Sequence, residues 1–364
     1  MKYSLFHFVA FIFGILIFLS CSNREKQQDK EDILCCELAN DTTYADCKIS
    51  KWLDGKEKAI VFTWDDTSID SEPVAELFNK YGYKATFYIN TQMLCSKKMR
   101  LMHPTIRSIY QDIINSGHEI GTHTHSHCVL TKVPLDKAES ELVTSSQKIQ
   151  ELYDYKVTTM SYPTSTYNEK TDSLMRIHYL DCRYTMDKDT DSTIRYVHIR
   201  EAYNFNLYKK DLDSFITSHA TRYVYGGHQM DGSGYEPIPS QTLDSLLTYI
   251  NTKYNDCCWV TTFANMTLYD ILRQKVTIKN TRSKVVINTQ AVDAILSRYP
   301  EPNAYITLCF PDMSLDFYSD GIVSYKYEHG NSYVTVDLRK TKEVKYSSID
   351  HAYRPLASKR NGLK

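Results

Sequence analysis

Short apolar stretches alternate with longer amphipathic stretches over residues 51–271, and this alternation limits the possible folds more than any other feature of the sequence. Residues 59–64 form an apolar run followed by two aspartates, which is typical of a strand buried in a parallel sheet. Residues 135–154 place apolar side chains along one face of a long helix. Strands and helices that alternate in this way predict an α/β fold built on a parallel sheet or barrel.

The pattern changes after about residue 274, where strand-like stretches follow one another. They cover residues 276–287, 304–310, 322–327 and 333–338. Gly321 and Gly330 belong to turn signals between these stretches. We therefore expect a β/α domain over residues 51–272 and a small β-rich C-terminal domain over residues 273–364.

The N-terminal segment is typical of a targeting signal and is excluded from the fold. Lys2 precedes an apolar run over residues 8–19, and small residues lead to Cys21. This pattern predicts a signal peptide over residues 1–21 with a lipidation site at Cys21; an ordinary signal peptide is the alternative. Residues 22–50 are expected to be a tether, which would make the protein an exported lipoprotein, either periplasmic or on the cell surface.

The charge balance bears on the class of partner. Lysine plus arginine (43) nearly equals aspartate plus glutamate (44), and the formal net charge is -1. Such a chain has no overall field that would attract nucleic acid or an anionic membrane. We expect no nucleic-acid partner, and membrane association only through the lipid anchor at Cys21.

The chain has ten cysteines, and export would permit disulfides. Cys35 or Cys36 with Cys47 is a plausible short loop closure, although sequence alone does not fix the connectivity. No Cys-x-x-Cys pair is present, which disfavours a structural zinc knuckle.

Three separated segments carry side chains that suit hydrolysis at a metal ion. Asp65 and Asp66 follow the first predicted strand. His123 and His127 have His-x-x-x-His spacing, and His228 follows a later apolar stretch. The histidine spacing predicts two imidazoles on one side of a helical turn, and a carboxylate from another strand end would complete three metal ligands. Each segment alone also fits a solvated strand end, a surface cluster or a structural histidine, but their combination favours a catalytic metal site.

The two aspartates are expected to have different tasks. Adjacent side chains at a strand end cannot point the same way, so one can bind a metal while the other faces the attacking water as a base. A second, protonated group must then donate to the leaving nitrogen or oxygen, and His228 is the candidate.

These segments resemble the polysaccharide deacetylases of carbohydrate esterase family 4, which have the NodB-like fold. The family's Thr-Phe-Asp-Asp motif reads Thr-Trp-Asp-Asp over residues 63–66. Its His-Ser/Thr-x-x-His motif reads His-Thr-His-Ser-His over residues 123–127, preceded by Gly-His-Glu-Ile-Gly over residues 117–121. The resemblance implies a distorted (β/α) barrel whose site lies at the C-terminal ends of the strands.

The resemblance also implies roles for individual residues. Asp65 would be the catalytic base and His228 the catalytic acid. Asp66, His123 and His127 would bind a divalent metal, often zinc.

The segment 161–164, Ser-Tyr-Pro-Thr, corresponds to the family's Arg-x-Pro-Tyr segment. By this resemblance, a backbone N–H near Thr164 would stabilise the oxyanion. Tyr162 would line the substrate site. Ser161 replaces the family's arginine, which pairs with the catalytic base. Arg183 is the candidate substitute, with a surface arginine as the equally weighted alternative.

Two further histidines belong to the same motif region. His125 lies between the predicted ligands and is expected either to line the substrate groove or to be exposed. His118 precedes the third strand and is expected to be structural.

The function expected from the resemblance is a metal-dependent hydrolase that removes N- or O-linked acetyl groups from a carbohydrate or cell-wall glycan. Thr67 replaces the glycine that usually follows the aspartate pair, and the Asp-Trp segment that supports the acid histidine has no clear match. A catalytically impaired carbohydrate-binding lipoprotein on the same scaffold, or a hydrolase of a non-sugar amide, therefore remains an alternative.

Overall fold

A computed structural model of the chain describes residues 46–184, 192–198, 204–232 and 234–348. The predicted signal peptide, Cys21, Cys35, Cys36 and nearly all of the predicted tether lie outside these residues. The described residues belong to one compact unit. Among them, no helix has the length and apolar character needed to cross a membrane.

A parallel sheet forms the centre of the fold. Within the described residues its strands are β2 (Lys58–Asp65), β3 (Thr86–Ile89), β4 (Glu119–Thr122), β5 (Thr159–Ser161), β6 (Asp181–Arg183), β7 (Ile194–His198), β8 (Arg222–Gly227) and β9 (Cys258–Thr261). The order across the sheet is β6-β5-β4-β3-β2-β8-β7, and β9 also pairs with β2. Every residue of β2 is buried, which explains its uninterrupted apolar run. Because the strands are parallel, the residues that follow β2, β4, β5 and β8 meet at one edge of the sheet.

Helices connect and cover these strands. They are α1 (Ser71–Lys80), α2 (Thr91–Cys95), α3 (Lys97–Met102), α4 (Ile106–Asn115), α5 (Leu135–Tyr153), α6 (Glu169–His178), α7 (Phe205–Thr217), α8 (Ser240–Tyr249) and α9 (Phe263–Lys275). The predicted apolar face of α5 packs into the main core, where Ala138, Leu142 and Ile149 join Phe62 and Phe87. The predicted α/β architecture is confirmed.

The C-terminal region is β-rich, as predicted. It contains β10 (Thr277–Asn280), β11 (Lys284–Asn288), α10 (Asp293–Arg298), β12 (Tyr305–Phe310), β13 (Leu315–Phe317), β14 (Ile322–Glu328), β15 (Asn331–Asp337) and β16 (Glu343–Ser348). Two four-stranded sheets result, ordered β1-β12-β15-β14 and β10-β11-β16-β13, where β1 is Lys48–Ile49. The single stretch expected over residues 276–287 is two antiparallel strands, because the chain turns where Thr281 N donates to Lys284 O at 2.9 Å.

Residues ahead of β2 tie the β-rich region to the parallel sheet. Asp54 Oδ1 accepts hydrogen bonds from Ser324 Oγ at 2.8 Å and from Thr335 Oγ1 at 2.5 Å. The Tyr269 hydroxyl on α9 donates to Ser50 O at 3.1 Å. The division at residue 272 stays a prediction, and the two parts share these buried polar contacts.

Candidate functional site

The end of β2 presents the two aspartates in different settings. Asp65, the last residue of the strand, is only 6% exposed, whereas the Asp66 side chain is 35% exposed. Asp66 has a left-handed backbone with φ of 69°, a conformation that is uncommon for residues other than glycine. This sharp turn ends the strand and separates the directions of the two carboxylates. Strained backbone of this kind concentrates at functional sites.

His123 and His127 lie on a loop after β4, and the helical turn expected from their spacing is absent. Thr124 and His127 have φ of 66° and 59°, which a helix does not allow. The loop is held by side chains instead: Thr124 Oγ1 accepts from Cys128 N at 2.9 Å. The imidazole rings of His123 and His127 nevertheless approach to 4.9 Å between centroids, so a folded-back loop replaces the helix as the reason for their proximity.

Asp66, His123 and His127 form one cluster of candidate metal-binding atoms. One atom from each residue lies within 4.8 Å of the others, and His127 Nε2 is 3.6 Å from Asp66 Oδ1. Two ligands of a tetrahedral zinc ion at about 2.1 Å would be roughly 3.4 Å apart. The spacing of this pair therefore suits a metal ion.

The protonation of His123 also suits a metal ligand. Its Nδ1 is 2.9 Å from Ser161 O, and because a carbonyl only accepts, Nδ1 must carry the proton. Nε2 then keeps its lone pair, which is the arrangement found in metal-bound histidines. Burial lowers the pKa of His123 and so favours the neutral ring. The two nitrogens and one carboxylate of the cluster fit a zinc-type divalent ion.

Asp65 lies at the centre of a buried polar group that includes the predicted substitute arginine. Its Oδ2 accepts from Arg183 Nη2 and, at 3.2 Å, from Ser161 Oγ. Arg183 Nη2 also donates to Ser161 Oγ at 2.6 Å. Within the described residues, Asp65 Oδ1 is buried and has no hydrogen-bond partner.

The charge of Asp65 follows from these neighbours. Burial alone would raise the pKa of Asp65, but the Arg183 guanidinium, with smaller contributions from His123 and His228, outweighs burial. The pKa therefore lies below its usual value, and Asp65 is ionised at neutral pH. One carboxylate oxygen of Asp65 is thus hydrogen-bonded to Arg183, and the other is available to accept a proton.

A cavity of about 470 Å³ joins these residues. It is lined by Asp65, Asp66, His123, His127, Tyr162, Thr164, Ser165, Arg183, Gly226, His228 and Tyr235. All the sequence-predicted site residues except His125 therefore line one cavity. Its size is in the range of small-ligand sites.

The wall after β5 is built from a strained turn. Thr164 and Ser165 have φ of 55° and 56° within the short helical turn Pro163–Ser165. The neighbouring Tyr162 is almost fully buried, and its hydroxyl donates to Thr171 O at 3.2 Å. Tyr162 therefore contributes a fixed surface to the cavity, and Thr164 is the residue of this turn that the resemblance assigns to the oxyanion.

His125 and His118 lie apart from the cluster. His125 Nδ1 is 2.9 Å from Thr91 Oγ1, and the ring does not line the cavity, because its position in the loop directs it towards α2. His125 is half-buried, so it is not the exposed residue of the second expectation, and its place in a substrate groove stays a prediction. His118 is buried and accepts from Ala85 N at 3.0 Å through Nδ1, as a structural histidine would.

Among the residues not found from the sequence, three contact predicted site residues or the loop that carries them. Glu141 on α5 accepts from Ser126 N at 2.8 Å and from Ser126 Oγ at 2.9 Å, which holds the histidine loop. Asn90 Nδ2 donates to Asp66 Oδ1 at 3.2 Å. Tyr235 packs against His228, with ring centroids 4.8 Å apart and planes at 86°. The sequence did contain a sign that Glu141 has a special role, because it is a charged residue three positions after Ala138 at the apolar face of α5. No sequence feature singled out the other two residues.

Comparison with known proteins covers the first part of this site. Residues 53–182 match the family model described as polysaccharide deacetylase. YxkH of Bacillus subtilis strain 168, assigned to the polysaccharide deacetylases, is 27% identical over 116 residues, which are 32% of this chain and 40% of that protein. A gellan lyase from a Bacillus species is 23% identical over 293 residues, covering 71% of this chain and 11% of that protein. The chain thus spans well under two thirds of the length of these relatives.

A solved structure with a similar fold is that of a Mycobacterium smegmatis protein assigned to the polysaccharide deacetylases. Its TM-score is 0.49 at 15% identity, and the superposition covers 62% of this chain and 94% of that chain. Arg183 and His228 lie beyond the segment that matches the family. The match over residues 53–182 confirms the resemblance predicted from the motifs: this part of the chain is similar to the polysaccharide deacetylase family.

Proposed function

We propose that this protein is a metal-dependent deacetylase that hydrolyses N- or O-linked acetyl groups on carbohydrate. One observation carries the proposal: the Asp66, His123 and His127 cluster shares a cavity with a buried, ionised Asp65 and with His228. A cavity that combines three metal-binding side chains with a separate base and acid suits hydrolysis of an amide or ester.

Asp66, His123 and His127 would hold the divalent ion, and zinc fits the donor set. When bound, the ion supplies Lewis-acid polarisation of the acetyl carbonyl and makes water more acidic. Asn90 would orient Asp66 through its hydrogen bond to Oδ1, and Ser161 O would orient His123 through Nδ1. Such supporting contacts fix the direction of ligand lone pairs.

Asp65 would act as the general base. Its Oδ1 has no competing donor among the described residues, so that oxygen can take a proton from the attacking water. Arg183, held against Oδ2, keeps the carboxylate charged before the transfer and fixes its orientation. The protonated Asp65 must lose this proton to solvent before the next turnover.

His228 would act as the general acid, giving a proton to the leaving nitrogen or oxygen. It follows β8 and lines the cavity with Asp65 and Tyr235. The left-handed turn at Thr164 would direct a backbone N–H towards the oxygen that becomes negative when water adds to the carbonyl. Base, acid and oxyanion donor would then come from three different strand ends.

The test is acetate release by the full chain from acetylated chito-oligosaccharide and acetylated xylan, with zinc and after chelation. We expect metal-dependent release that Asp65→Asn abolishes without loss of bound metal. The matched control is Asp70→Asn, at an aspartate five residues after Asp65 that does not line the cavity; this variant should keep full turnover.

Other outcomes separate the alternatives. Glycan binding that survives chelation, without acetate release, would favour a carbohydrate-binding protein. Metal-dependent acetate release from simple amides, but from neither glycan, would favour a non-sugar substrate. Full turnover of Asp65→Asn would overturn the assignment of the base.

Export and lipid anchoring at Cys21 remain part of the proposal. A lipoprotein on the outside of a membrane would meet cell-wall or environmental glycans, which suits the proposed substrate. The division into a deacetylase domain over residues 51–272 and a β-rich domain over residues 273–364 also remains a proposal.

A further inference from the structure

The segment that follows His228 forms a loop with fixed ends. Ile238 N donates to Gln229 O at 3.0 Å, and Asp231 N donates to Ile238 O at 3.0 Å. Asp231 Oδ1 also accepts from Ser240 N at 2.9 Å at the start of α8. The described residues 229–232 and 234–240, called here the Tyr235 loop, thus have their two ends joined by backbone contacts.

The base of the Tyr235 loop is also anchored in the core. Met230 and Ile238 pair across it and are 7% and 0% exposed. Because burial of large apolar side chains is favourable, these two residues hold the base of the loop in place. The loop therefore presents its outer residues from a fixed support.

Tyr235 stands at the outer part of this loop with its ring open to solvent. Its exposure is 62%, although tyrosine carries a large apolar ring that usually packs. The same side chain lines the cavity of the candidate metal site and meets the His228 ring at 86°. Packing does not explain why an anchored loop leaves an aromatic ring exposed at the mouth of this cavity.

The chemistry of the cavity indicates what would cover this ring. The floor carries charged and polar groups, with Asp65, Asp66 and Arg183 among them. A pyranose ring has an apolar face of C–H groups and an edge of hydroxyls and acyl substituents. Its face suits an exposed aromatic ring, while its edge would point towards the polar floor.

We infer that Tyr235 is a substrate-binding residue that stacks against the sugar ring carrying the acetyl group, and that it gives the site its preference for carbohydrate over small acyl compounds. This inference rests on the proposed function. A ring stacked on Tyr235 lies next to His228, so the leaving atom of the sugar is brought to the acid. Tyr235 would thus determine which substrate binds and how it is oriented, and would take no part in proton transfer.

The experiment compares Tyr235→Ala, Tyr235→Phe and the parent chain loaded with zinc. The substrates are acetylated chito-oligosaccharide and glycerol triacetate, which has no ring to stack. For the oligosaccharide we expect Tyr235→Ala to raise KM about tenfold, the effect of losing one apolar contact, with kcat within about twofold. The loss in kcat/KM for glycerol triacetate should be several times smaller, and Tyr235→Phe should restore most of the oligosaccharide KM.

A second tyrosine serves as the control. Tyr325 on β14 is 58% exposed and lies outside the cavity, so Tyr325→Ala should match the parent on both substrates. An unchanged KM in Tyr235→Ala would overturn the inference. An equal fall of kcat on both substrates would also overturn it, because Tyr235 would then act through His228.

A direct binding measurement distinguishes failure of the proposed reaction from failure of the proposed sugar contact. Calorimetric titration of the zinc-loaded chain with the oligosaccharide needs no turnover. Binding that Tyr235→Ala weakens about tenfold, without acetate release by the parent, would support the sugar contact and reject the deacetylase. Acetate release by the parent, together with oligosaccharide binding that Tyr235→Ala leaves unchanged, would support the deacetylase and reject the sugar contact.

Discussion

Arg183 on β6 contacts Asp65 on β2 across three intervening strands of the sheet, and Ser161 on β5 hydrogen-bonds to both. Ser161 and Arg183 are paired residues of the parallel strands β5 and β6. The serine is fully buried and bonds both partners through its hydroxyl. Because serine is short, it leaves room for the guanidinium to reach the carboxylate. The positive partner of Asp65, the proposed base, thus lies one strand away from the position at which the resemblance would place it.

This pairing predicts that the two positions can exchange their residues. Arg183→Ser should lower kcat/KM by about two orders of magnitude, because Asp65 loses the charge that keeps it ionised and oriented. Adding Ser161→Arg to that variant should recover part of the loss, since the register brings both side chains to the same carboxylate. Acetate release by the two single variants and the double variant measures the coupling.

The control for the exchange is Arg176→Ser. Arg176 is a mostly exposed arginine on α6 that pairs with Asp172. It should retain the parent kcat/KM, since exposed ion pairs contribute little. If the double variant were no better than Arg183→Ser alone, the exchange of positions would be wrong.

Glu141 is expected to control metal affinity without touching the metal. It is buried and holds Ser126, the residue before His127, through two hydrogen bonds, and Lys137 pairs with it. Burial would raise the pKa of Glu141, but the hydrogen bonds from Ser126 outweigh it and keep the carboxylate charged.

Replacing Glu141 by glutamine should weaken zinc binding by about 10–100-fold, the usual effect of a supporting residue. Competition with a chromogenic chelator measures the affinity. Glu139→Gln on the same helix is the matched control, because Glu139 is half exposed and pairs with the partly exposed His178, away from the histidine loop. Equal zinc affinity in Glu141→Gln and Glu139→Gln would show that the loop needs no such support.

The sequence predicted those parts of the site that depend on strand ends. The buried β2 appeared in the sequence as an apolar run, and the aspartates at its end, Asp65 and Asp66, had to lie at the edge of the sheet. Arg183 could be proposed as the substitute arginine because it lies on a predicted strand, although a surface position was an equal alternative. Local pattern is sufficient where the sheet itself fixes the position of a residue.

Loop geometry and long-range contacts were not predictable in the same way. The His-x-x-x-His spacing suggested a helical turn, but Thr124 and His127 have left-handed backbone. Ser126, which lies between them, is hydrogen-bonded to Glu141, more than ten residues away. Tyr235 reaches His228 only because a closed loop folds back over the cavity. Spacing along the chain carries no information about such contacts.

Zinc should raise the thermal stability of the protein. Asp66, His123 and His127 come together only in the folded chain, so an ion that needs all three binds the unfolded chain weakly. At a hundredfold excess over Kd, binding to the folded state alone adds about 2.7 kcal/mol. Calorimetric melting with and without zinc should show a higher Tm for the parent and no zinc effect for His127→Ala. A zinc-dependent rise that persists in His127→Ala would place the ion elsewhere.

His118 should make the protein less stable in mild acid, independently of the metal site. Burial lowers the pKa of His118 to about 3, whereas the unfolded chain binds a proton near pH 6.5. Because the folded pKa is depressed, the contribution of His118 to stability is complete above the unfolded pKa and is lost as the pH falls towards 3. Between pH 7 and pH 5 this loss is about 2 kcal/mol.

Urea unfolding of the metal-free chain at pH 7 and pH 5 measures this effect. His118→Gln cannot titrate, so its free energy of unfolding should fall by about 2 kcal/mol less than that of the parent over the same interval. Only the change in the free energy of unfolding between the two pH values is compared. A variant that is less stable than the parent at both pH values therefore does not affect the result. His103→Gln, at a histidine in the turn after α3, is the control and should keep the parent dependence. Parallel curves for His118→Gln and the parent would mean that the folded protein protonates His118 as readily as the unfolded chain does.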